Sequence, residues 1–309
     1  MDVFFRRAYG RGATHDAALA QAVLAAHHGV AYETNRLMVN TMNEHTAVSP
    51  AEAFGPAVQG TASFSKFMTV LQVIGDHPGK LDIAQLTAKV PFPRATTYRI
   101  VAGLVAEGLI MQNPDGSYTL GYRLIQLASK SWEASDIRTA ARPFIEALRN
   151  ATKETVHLAV PSGNGMAYID KLESPNAVRM MTRIGARVEF HSTSVGKAYL
   201  SSLPEERARQ IIAGLEFRPF TEFTFTDRDL FLEEIRKTRE RGYSYDHEEN
   251  ERDIRCFGSA IYDRSGEPVA GVSISIPLYR YDENRHADYA RMIRETAASI
   301  TQSLAAVVK

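Results

Sequence analysis

The stretch from Phe92 to Gly108 constrains the fold more than any other part of this 309-residue sequence. Pro93 suits a first helical turn, because its ring fixes φ near the helical value and its missing N–H would have no partner there. One side of the predicted helix is an apolar stripe. The opposite side carries small residues around one long cation, Arg99, and small residues permit close approach to a duplex. Taken alone, the pattern also fits an ordinary core helix. At about 100° per residue, the stripe comprises Thr97, Ile100, Val101, Leu104, Val105 and Gly108.

Two shorter helices are predicted before this one. The first begins near Ser63 and carries apolar residues at helical spacing. The second begins after Asp82, whose side chain suits an N-cap, with Gln85 three residues later in a variant of the capping box. Pro91 and Pro93 then force a sharp turn. Two short helices, a tight turn and a third helix with a cationic outer face follow the order of helix-turn-helix proteins.

A hairpin is predicted directly after the third helix. In the turn sequence Asn113-Pro114-Asp115-Gly116, proline at the second position and glycine at the fourth favour a type I turn, and β-prone residues lie on both sides. A hairpin in this place is a wing, so residues 61–121 are predicted to bind double-stranded operator DNA. Arg123 and Lys130 are candidate contacts to the phosphates. The predicted groove contacts are Arg94, Thr96, Thr97, Tyr98 and Arg99.

Composition limits how the chain can bind DNA. Lysine plus arginine (36) equals aspartate plus glutamate (36), so the attraction to DNA has to be local. The single cysteine, Cys256, excludes an intramolecular disulfide and fits a reducing compartment. No apolar run approaches the roughly 18 to 20 residues that cross a bilayer, and a secretory leader pattern is absent, which together predict a cytoplasmic protein. Residues 1–60 are predicted to be a poorly ordered extension, and no metal or cofactor is expected.

Residues 122–152 are predicted to form a nearly continuous helix, broken near Asp136 and at Pro143. The first part carries an apolar stripe, and on a surface helix such a stripe needs a cover. The economical cover is the same helix of a second subunit, whose twofold symmetry would match that of DNA half-sites. A homo-oligomer is therefore predicted. The stripe consists of Leu124, Leu127, Ala128 and Trp132.

From Thr155 the hydrophobic period changes to that of strands. Strands separated from helices in this way indicate an α+β fold with an antiparallel sheet. Thr226 is the predicted N-cap of the third helix in this part, and Gly242 its C-terminal residue. Strands are predicted at 155–160, 166–173, 177–183, 243–247, 256–262 and 269–276, and helices at 194–202, 205–213, 227–241 and 283–307.

Three blocks of this sequence resemble the IclR family of transcriptional regulators. They are Ser194-Val-Gly-Lys-Ala-Tyr-Leu200, then Gly242-Tyr-Ser-Tyr-Asp-His-Glu-Glu249, and finally Arg255-Cys256 through Val272-Ser-Ile-Ser-Ile-Pro277. The resemblance covers about residues 61–304. It implies a winged helix-turn-helix domain (61–121), a helical linker used for dimerisation (122–152) and an effector-binding domain related to GAF and PAS sensors (153–309), assembled as dimers or dimers of dimers.

The resemblance also implies a small-molecule effector, such as a carboxylate, an aromatic acid or a sugar acid. Ser273 and Ser275 lie two apart in a predicted strand, so both hydroxyls face one side of the sheet. The start of the Ser194 helix offers free N–H groups and a positive dipole end to a carboxylate. For Lys197, pairing with the ligand stays open, although an exposed helix face is the commoner place for a lysine and is the one expected. The effector residues carried over from the family are Met180, Ser194, Val195, Asp246, Cys256, Ser273 and Ser275.

The predicted function is a ligand-responsive regulator of a catabolic pathway, and two alternatives remain open. An enzyme built on the GAF-like domain is disfavoured, because a dithiol reaction needs a second cysteine and Gly271-Val-Ser273-Ile-Ser275 lacks the closing glycine of Gly-x-Ser-x-Gly. An architectural DNA-binding protein with a vestigial sensor would show no ligand-dependent change in DNA affinity.

Overall fold

The computed structural model describes residues 59–133, 136–176 and 182–306. Nearly all of the predicted extension, residues 1–60, therefore lies outside the described residues, as does Met180. None of the described helices is long and apolar enough to cross a membrane.

The first part of the described chain, here called the winged region, contains three helices and a hairpin. Its helices are α1 (Ala62–Asp76), α2 (Ile83–Lys89) and α3 (Arg94–Ala106), and its strands are β1 (Ile110–Gln112) and β2 (Tyr118–Leu120). The strands pair antiparallel, with Ile110 opposite Leu120. Apolar residues of all three helices and both strands share one buried core. The predicted order of helices and wing is confirmed.

Local details of the winged region agree with the sequence in some places and not in others. The capping box is present, since the Gln85 N–H donates to Asp82 and the Asp82 N–H donates to Gln85. The apolar stripe of α3 is narrower than predicted, because Val105 is 42% exposed. The buried residues of α3 are Thr97, Ile100, Val101 and Leu104.

Two helices follow the wing: α4 (Tyr122–Glu133) and α5 (Asp136–Thr152). The predicted break near Asp136 falls at residues 134–135, which lie outside the described residues. The predicted break at Pro143 is wrong, because Pro143 lies inside α5. Three buried residues of α5, Ala141, Ile145 and Leu148, pack in the core of the sheet that follows.

Six antiparallel strands form this sheet, in the order β5-β4-β3-β8-β7-β6. Residues 177–181 of the predicted third strand lie outside the described residues, and β5 was not predicted; it is too short for a clear alternating pattern. The α+β class with an antiparallel sheet is confirmed. The strands are β3 (Thr155–Ser162), β4 (Gly165–Leu172), β5 (Arg187–Glu189), β6 (Ser244–His247), β7 (Ile254–Tyr262) and β8 (Pro268–Pro277).

Four more helices are α6 (Ser194–Ser202), α7 (Glu205–Ala213), α8 (Arg228–Arg241) and α9 (His286–Ala306). The N-cap of α8 is Asp227 rather than the predicted Thr226, because the Asp227 carboxylate accepts from two N–H groups of the first turn. Gly242 closes α8 in the left-handed conformation, as predicted.

The two faces of the sheet differ in chemistry because side chains alternate along each strand. One face, with Val272, Ile274 and Ile276, packs with buried residues of α5 and α9. The other face carries Ser273 and Ser275 and lies toward α6, whose residues share a second core with Tyr168 of β4. We call this second side the polar face.

Candidate functional site

The outward surface of α3 is the candidate DNA interface. Arg94, Tyr98 and Arg99 are exposed and Thr96 is half-buried. Arg94 Nη2 donates to the Tyr98 hydroxyl at 3.2 Å, and its guanidinium lies 5.4 Å from the centre of the Tyr98 ring. Thr97 is fully buried and bonds to the carbonyl of Pro93, so its side chain has no access to a DNA groove and the prediction for Thr97 is corrected.

The residues after α3 differ in their freedom to meet DNA. Arg123 forms an ion pair with Glu107, and both side chains are about half exposed or more. Because a surface pair of this kind is weak, Arg123 can exchange Glu107 for a phosphate. Lys130 is exposed on α4.

On the polar face, strand register brings together residues that are distant in sequence. Asp246 of β6 lies opposite Cys256 of β7, and Cys256 lies opposite Ser275 of β8. In the next row, Ser273 lies between Gly258 and His157 of β3. The structure thus brings four predicted effector residues into one buried patch: Asp246, Cys256, Ser273 and Ser275.

Helix α6 begins directly over this patch. The Ser244 hydroxyl donates to the Ser194 carbonyl at 2.6 Å. Gly258 makes the close approach feasible, because a Cβ there would lie 2.7 Å from the Ser194 carbonyl oxygen. Ser194 and Val195 are both buried at this helix start. Of the predicted effector residues, only Met180 lies outside the described chain.

A line of hydrogen bonds crosses the patch and includes two residues that the sequence analysis missed. The Cys256 thiol donates to the Ser275 hydroxyl at 3.3 Å, and this hydroxyl lies 3.4 Å from His157 Nδ1. His157 Nε2 lies 2.7 Å from the Thr182 hydroxyl. The His157 ring stacks on Tyr168, with 4.6 Å between centres. The alternation in Thr155-Val156-His157-Leu158 is the signal that could have placed His157 on the polar face.

Burial makes these ionisable groups neutral around pH 7. It lowers the pKa of His157 to about 3, with a further contribution from Lys171. Burial, followed by the charge of Glu249, raises the pKa of Asp246 to about 8. Burial also raises the pKa of the Cys256 thiol well above its usual value. The patch therefore offers neutral donors and acceptors to a ligand.

Lys197 is the clearest disagreement with the sequence analysis. It was expected on an exposed helix face, but its side chain is fully buried. Its Nζ lies 2.5 to 2.6 Å from the Glu249 carboxylate oxygens and 2.5 Å from the Tyr245 carbonyl. Glu249 donates its own N–H to Asp246 at 2.7 Å. Lys197 thus fixes the loop beside the patch and has its charge neutralised there.

The fold and these two surfaces define a class of protein: a winged helix-turn-helix DNA-binding protein with a sensor fold for small molecules. Comparisons with known proteins agree. The family model described as the IclR helix-turn-helix domain matches residues 63–114. The one described as the bacterial transcriptional regulator IclR C-terminal matches residues 129–302, more than half of the chain.

Individual relatives give the same result. The chain is 31% identical over 244 residues to the HTH-type transcriptional regulator KdgR of Escherichia coli K12, which covers 79% of this chain and 92% of KdgR. It is 30% identical over 256 residues to the HTH-type transcriptional repressor AllR of Salmonella typhi, covering 82% and 94%. The crystal structure of the Thermotoga maritima IclR aligns with a TM-score of 0.64 at 32% identity, covering 79% of this chain and 98% of that one.

This chain belongs to the IclR family. It is a ligand-responsive, DNA-binding transcriptional regulator, as the sequence blocks predicted.

Proposed function

We propose that the polar face binds a small organic acid and that occupancy of this face changes the affinity of the α3 surface for operator DNA. The observation that carries the proposal is the buried line of polar side chains from Cys256 through Ser275 and His157 to Thr182. Burying polar groups costs free energy, so a cluster of them beneath the start of a helix does not serve stability. Convergent polar groups in an enclosed place are typical of a ligand site.

The chemistry of the patch favours an acid with further oxygen atoms. The Thr193 side chain already caps the N–H of Gly196, so the N–H groups of Ser194 and Val195 are those that α6 leaves without intrahelical partners. Helix N-terminal N–H groups suit a carboxylate. Asp246, protonated at neutral pH, and the hydroxyls of Ser273 and Ser275 would bond to the other oxygens. Aromatic acids and sugar acids both meet this description.

Occupancy has a physical connection to the helices that follow the wing. Lys171 of β4 donates to the Thr182 carbonyl at 2.9 Å on the polar face. Its neighbour Asp170 points to the opposite face, where its carboxylate accepts from Arg142 at 3.2 Å and pairs with Arg138 at 3.3 Å. Asp170 is buried and both arginines belong to α5. We propose that a shift at Thr182 moves β4 against α5 through these two residues.

Four further assignments complete the proposal. The domains are 61–121, 122–152 and 153–309. The protein acts as a homodimer or dimer of dimers, supported by exposed apolar residues on α4, where Ile125 is 62% and Leu127 54% exposed. It works in the cytoplasm, where the DNA is, and binds its effector without transforming it, because the raised pKa of Cys256 leaves a thiol rather than a nucleophilic thiolate.

The test combines ligand binding with DNA binding. The purified protein is screened by thermal shift with pyruvate, 4-hydroxybenzoate and D-gluconate, one acid for each class. Affinity for a duplex selected from a random library is then measured with and without each acid. We expect a stabilising acid to change the DNA affinity at least about fivefold, the lower end of typical allosteric coupling.

Two variants locate the effect. Replacing Ser273 and Ser275 together with alanine should abolish the response to the acid and leave DNA binding intact. Asp170→Asn should keep acid binding but reduce the DNA response, since it removes the charge that holds Arg138 and Arg142. An undiminished response in the serine double variant would move the effector site elsewhere. Acid binding with no change in DNA affinity in the wild type would favour the architectural alternative.

A further inference from the structure

The two exposed arginines of α3 occupy different positions around the helix axis. At about 100° per residue, Arg99 lies roughly 30° from the direction opposite the buried stripe. Arg94 lies roughly 110° from that direction, on the flank of the helix. When a recognition helix enters a groove, its outermost side chains meet the base edges and its flanks face the phosphates. The position of Arg99 therefore favours bases, and that of Arg94 favours phosphate.

The surroundings of Arg99 support a contact deep in the groove. Ala95, Ala102 and Ala106 share the outermost face with it, and all three are exposed. Small neighbours let the helix backbone approach the base pairs, so that a single long side chain can reach the groove floor. Within the described residues, Arg99 has no ion-pair or hydrogen-bond partner that would hold it elsewhere. A guanidinium of this kind can donate two parallel hydrogen bonds to guanine O6 and N7.

Arg94, in contrast, is held in one orientation by Tyr98, one turn later. The Tyr98 hydroxyl accepts from Nη2 at 3.2 Å, and the guanidinium lies 5.4 Å from the ring centre. Tyr98 is only 41% exposed, so the ring is itself partly fixed by the protein. Tyr98 also lies near Tyr118 of the wing. Burial is the main cause that raises the pKa of Tyr118, and the electrostatic contribution of Tyr98 is the second.

The place where Arg94 is held is electrostatically unfavourable in the free protein. Arg94 is the first residue of α3, next to the positive end of the helix dipole, and no acidic residue lies in that first turn. A cation at a helix N-terminus is repelled unless an anion is near, and DNA-binding proteins use helix N-termini to contact phosphates. Tyr98 thus holds the Arg94 cation at a helix N-terminus, where a phosphate would add a favourable interaction.

We propose that the two arginines divide the work: Arg94, oriented by Tyr98, contacts a backbone phosphate, and Arg99 contacts base edges. Tyr98 is then a positioning residue and not a reader of sequence. This inference rests on the proposed role of α3 as the recognition helix. It predicts that changes at Arg94 alter affinity for all sequences, whereas changes at Arg99 alter which sequence is preferred.

The experiment uses the full-length protein and a random duplex library, so neither operator nor effector has to be known. Binding sites are selected with the wild type and with each variant, and affinities for the wild-type consensus are measured over a range of salt concentrations. Arg94→Ala should select the wild-type consensus, bind it about tenfold more weakly, and lower the salt slope by about one for each phosphate that is no longer neutralised. Arg99→Ala should remove the preference at one position in each half-site.

Lysine variants separate the two roles further. A phosphate contact needs only a point charge, so Arg94→Lys should restore most of the affinity and of the salt slope. A bidentate base contact needs the planar fork, so Arg99→Lys should not restore the base preference. Tyr98→Phe, which keeps the ring and removes the hydroxyl, should weaken binding about two- to threefold with the consensus unchanged.

Four other outcomes would contradict the proposal. A changed consensus in Arg94→Ala, or an unchanged one in Arg99→Ala, would overturn the division. Failure of Arg94→Lys to restore affinity in a folded variant would overturn the phosphate contact. If both alanine variants bind the consensus with unchanged affinity and salt slope, α3 is not the recognition helix, and the proposed function of this surface fails together with the inference.

Discussion

Apolar side chains are usually buried and polar ones exposed, and two regions of the molecule depart from this rule in opposite ways. From the end of the wing into α4, large apolar side chains are exposed: Leu120, Tyr122, Ile125 and Leu127 are each 42% exposed or more. On the polar face of the sheet, ionisable and hydroxyl side chains are buried, His157, Lys197 and Ser275 among them. Exposed apolar surface of this kind indicates a protein partner, and buried polar groups indicate a ligand or a fixed network.

Each kind of recognition needs a different kind of surface. A surface that meets a second subunit or DNA has to be open, so its residues are exposed in the isolated chain. A site that discriminates between small acids has to exclude water, so its residues are enclosed and their charges are suppressed. Within the enclosed part, Lys197 differs from His157 and Asp246, because its ammonium group pairs with the Glu249 carboxylate.

The largest effect is expected when that buried pair is broken. Lys197→Met should lower the free energy of unfolding by about 3 to 5 kcal/mol, because it leaves the Glu249 carboxylate buried without its cation. The matched control is Lys237→Met, whose solvent-exposed ion pair with Glu233 should contribute little to stability. Urea denaturation of both variants measures the difference. Equal losses would contradict the structural role assigned to Lys197.

A smaller, pH-dependent effect is expected from Asp246. Its pKa is raised to about 8 in the folded state, so its contribution to stability is complete below the unfolded pKa and is lost as pH rises through 8. The lowered pKa of His157 acts in the opposite direction, but only below its ordinary value of 6.5. Between pH 6.5 and 8 the wild type should therefore lose up to about 2 kcal/mol more than Asp246→Asn, whose Asn cannot ionise. Parallel curves would contradict the protonated state of Asp246.

A third, smaller effect is expected in the winged region. Asp82→Ala removes the capping box of α2 and should cost about 1 kcal/mol. Asp82→Asn keeps an N-cap acceptor and is the control. Because the cap belongs to the winged region, hydrogen exchange should accelerate in α2 and leave the strands of the sheet unchanged. Faster exchange in both parts would show that they unfold as one unit.

A substitution on the exposed side of α4 is expected to have the smallest effect on stability. Its effect on assembly should be large. Ile125→Gln changes a side chain that is 62% exposed, so unfolding of the chain should alter by no more than about 0.5 kcal/mol. If α4 packs against a second subunit, sedimentation should show dissociation at a protein concentration about tenfold higher than in the wild type. Unchanged association would remove this face from the interface.

Most of the architecture could be predicted because it depends on local patterns. The capping box at Asp82, the turn at residues 113–116 and the alternation of Val272 to Ile276 are short-range signals, and each element formed where its signal lay. Pro143 failed as a break although it lies in the interior of α5, where a proline removes a backbone hydrogen bond, because Ala141, Ile145 and Leu148 on either side of it pack in the sheet core. The strand β5 has three residues, too few for a period to be visible.

The site was harder to predict because it depends on long-range contacts. Ser273 and Ser275 could be assigned to one face from spacing alone. His157 could not be joined to Ser275 without the pairing of β3 with β8, and Thr182 belongs to no strand. Lysine is usually a surface residue. The burial of Lys197 is explained only by its pairing with Glu249, which is 52 residues away in the sequence. Thr97 was predicted both in the apolar stripe of α3 and among the groove contacts, and its complete burial confirms the first assignment and excludes the second.

One titration measures whether occupancy of the polar face controls DNA affinity. A labelled duplex carrying the selected consensus is titrated with wild type and with the Ser273→Ala, Ser275→Ala double variant, each with and without the acid that gives the largest thermal shift. We expect a change of at least about fivefold in the wild type and none in the double variant. An acid that binds the wild type and leaves its DNA affinity unchanged, or that shifts both proteins equally, would contradict it.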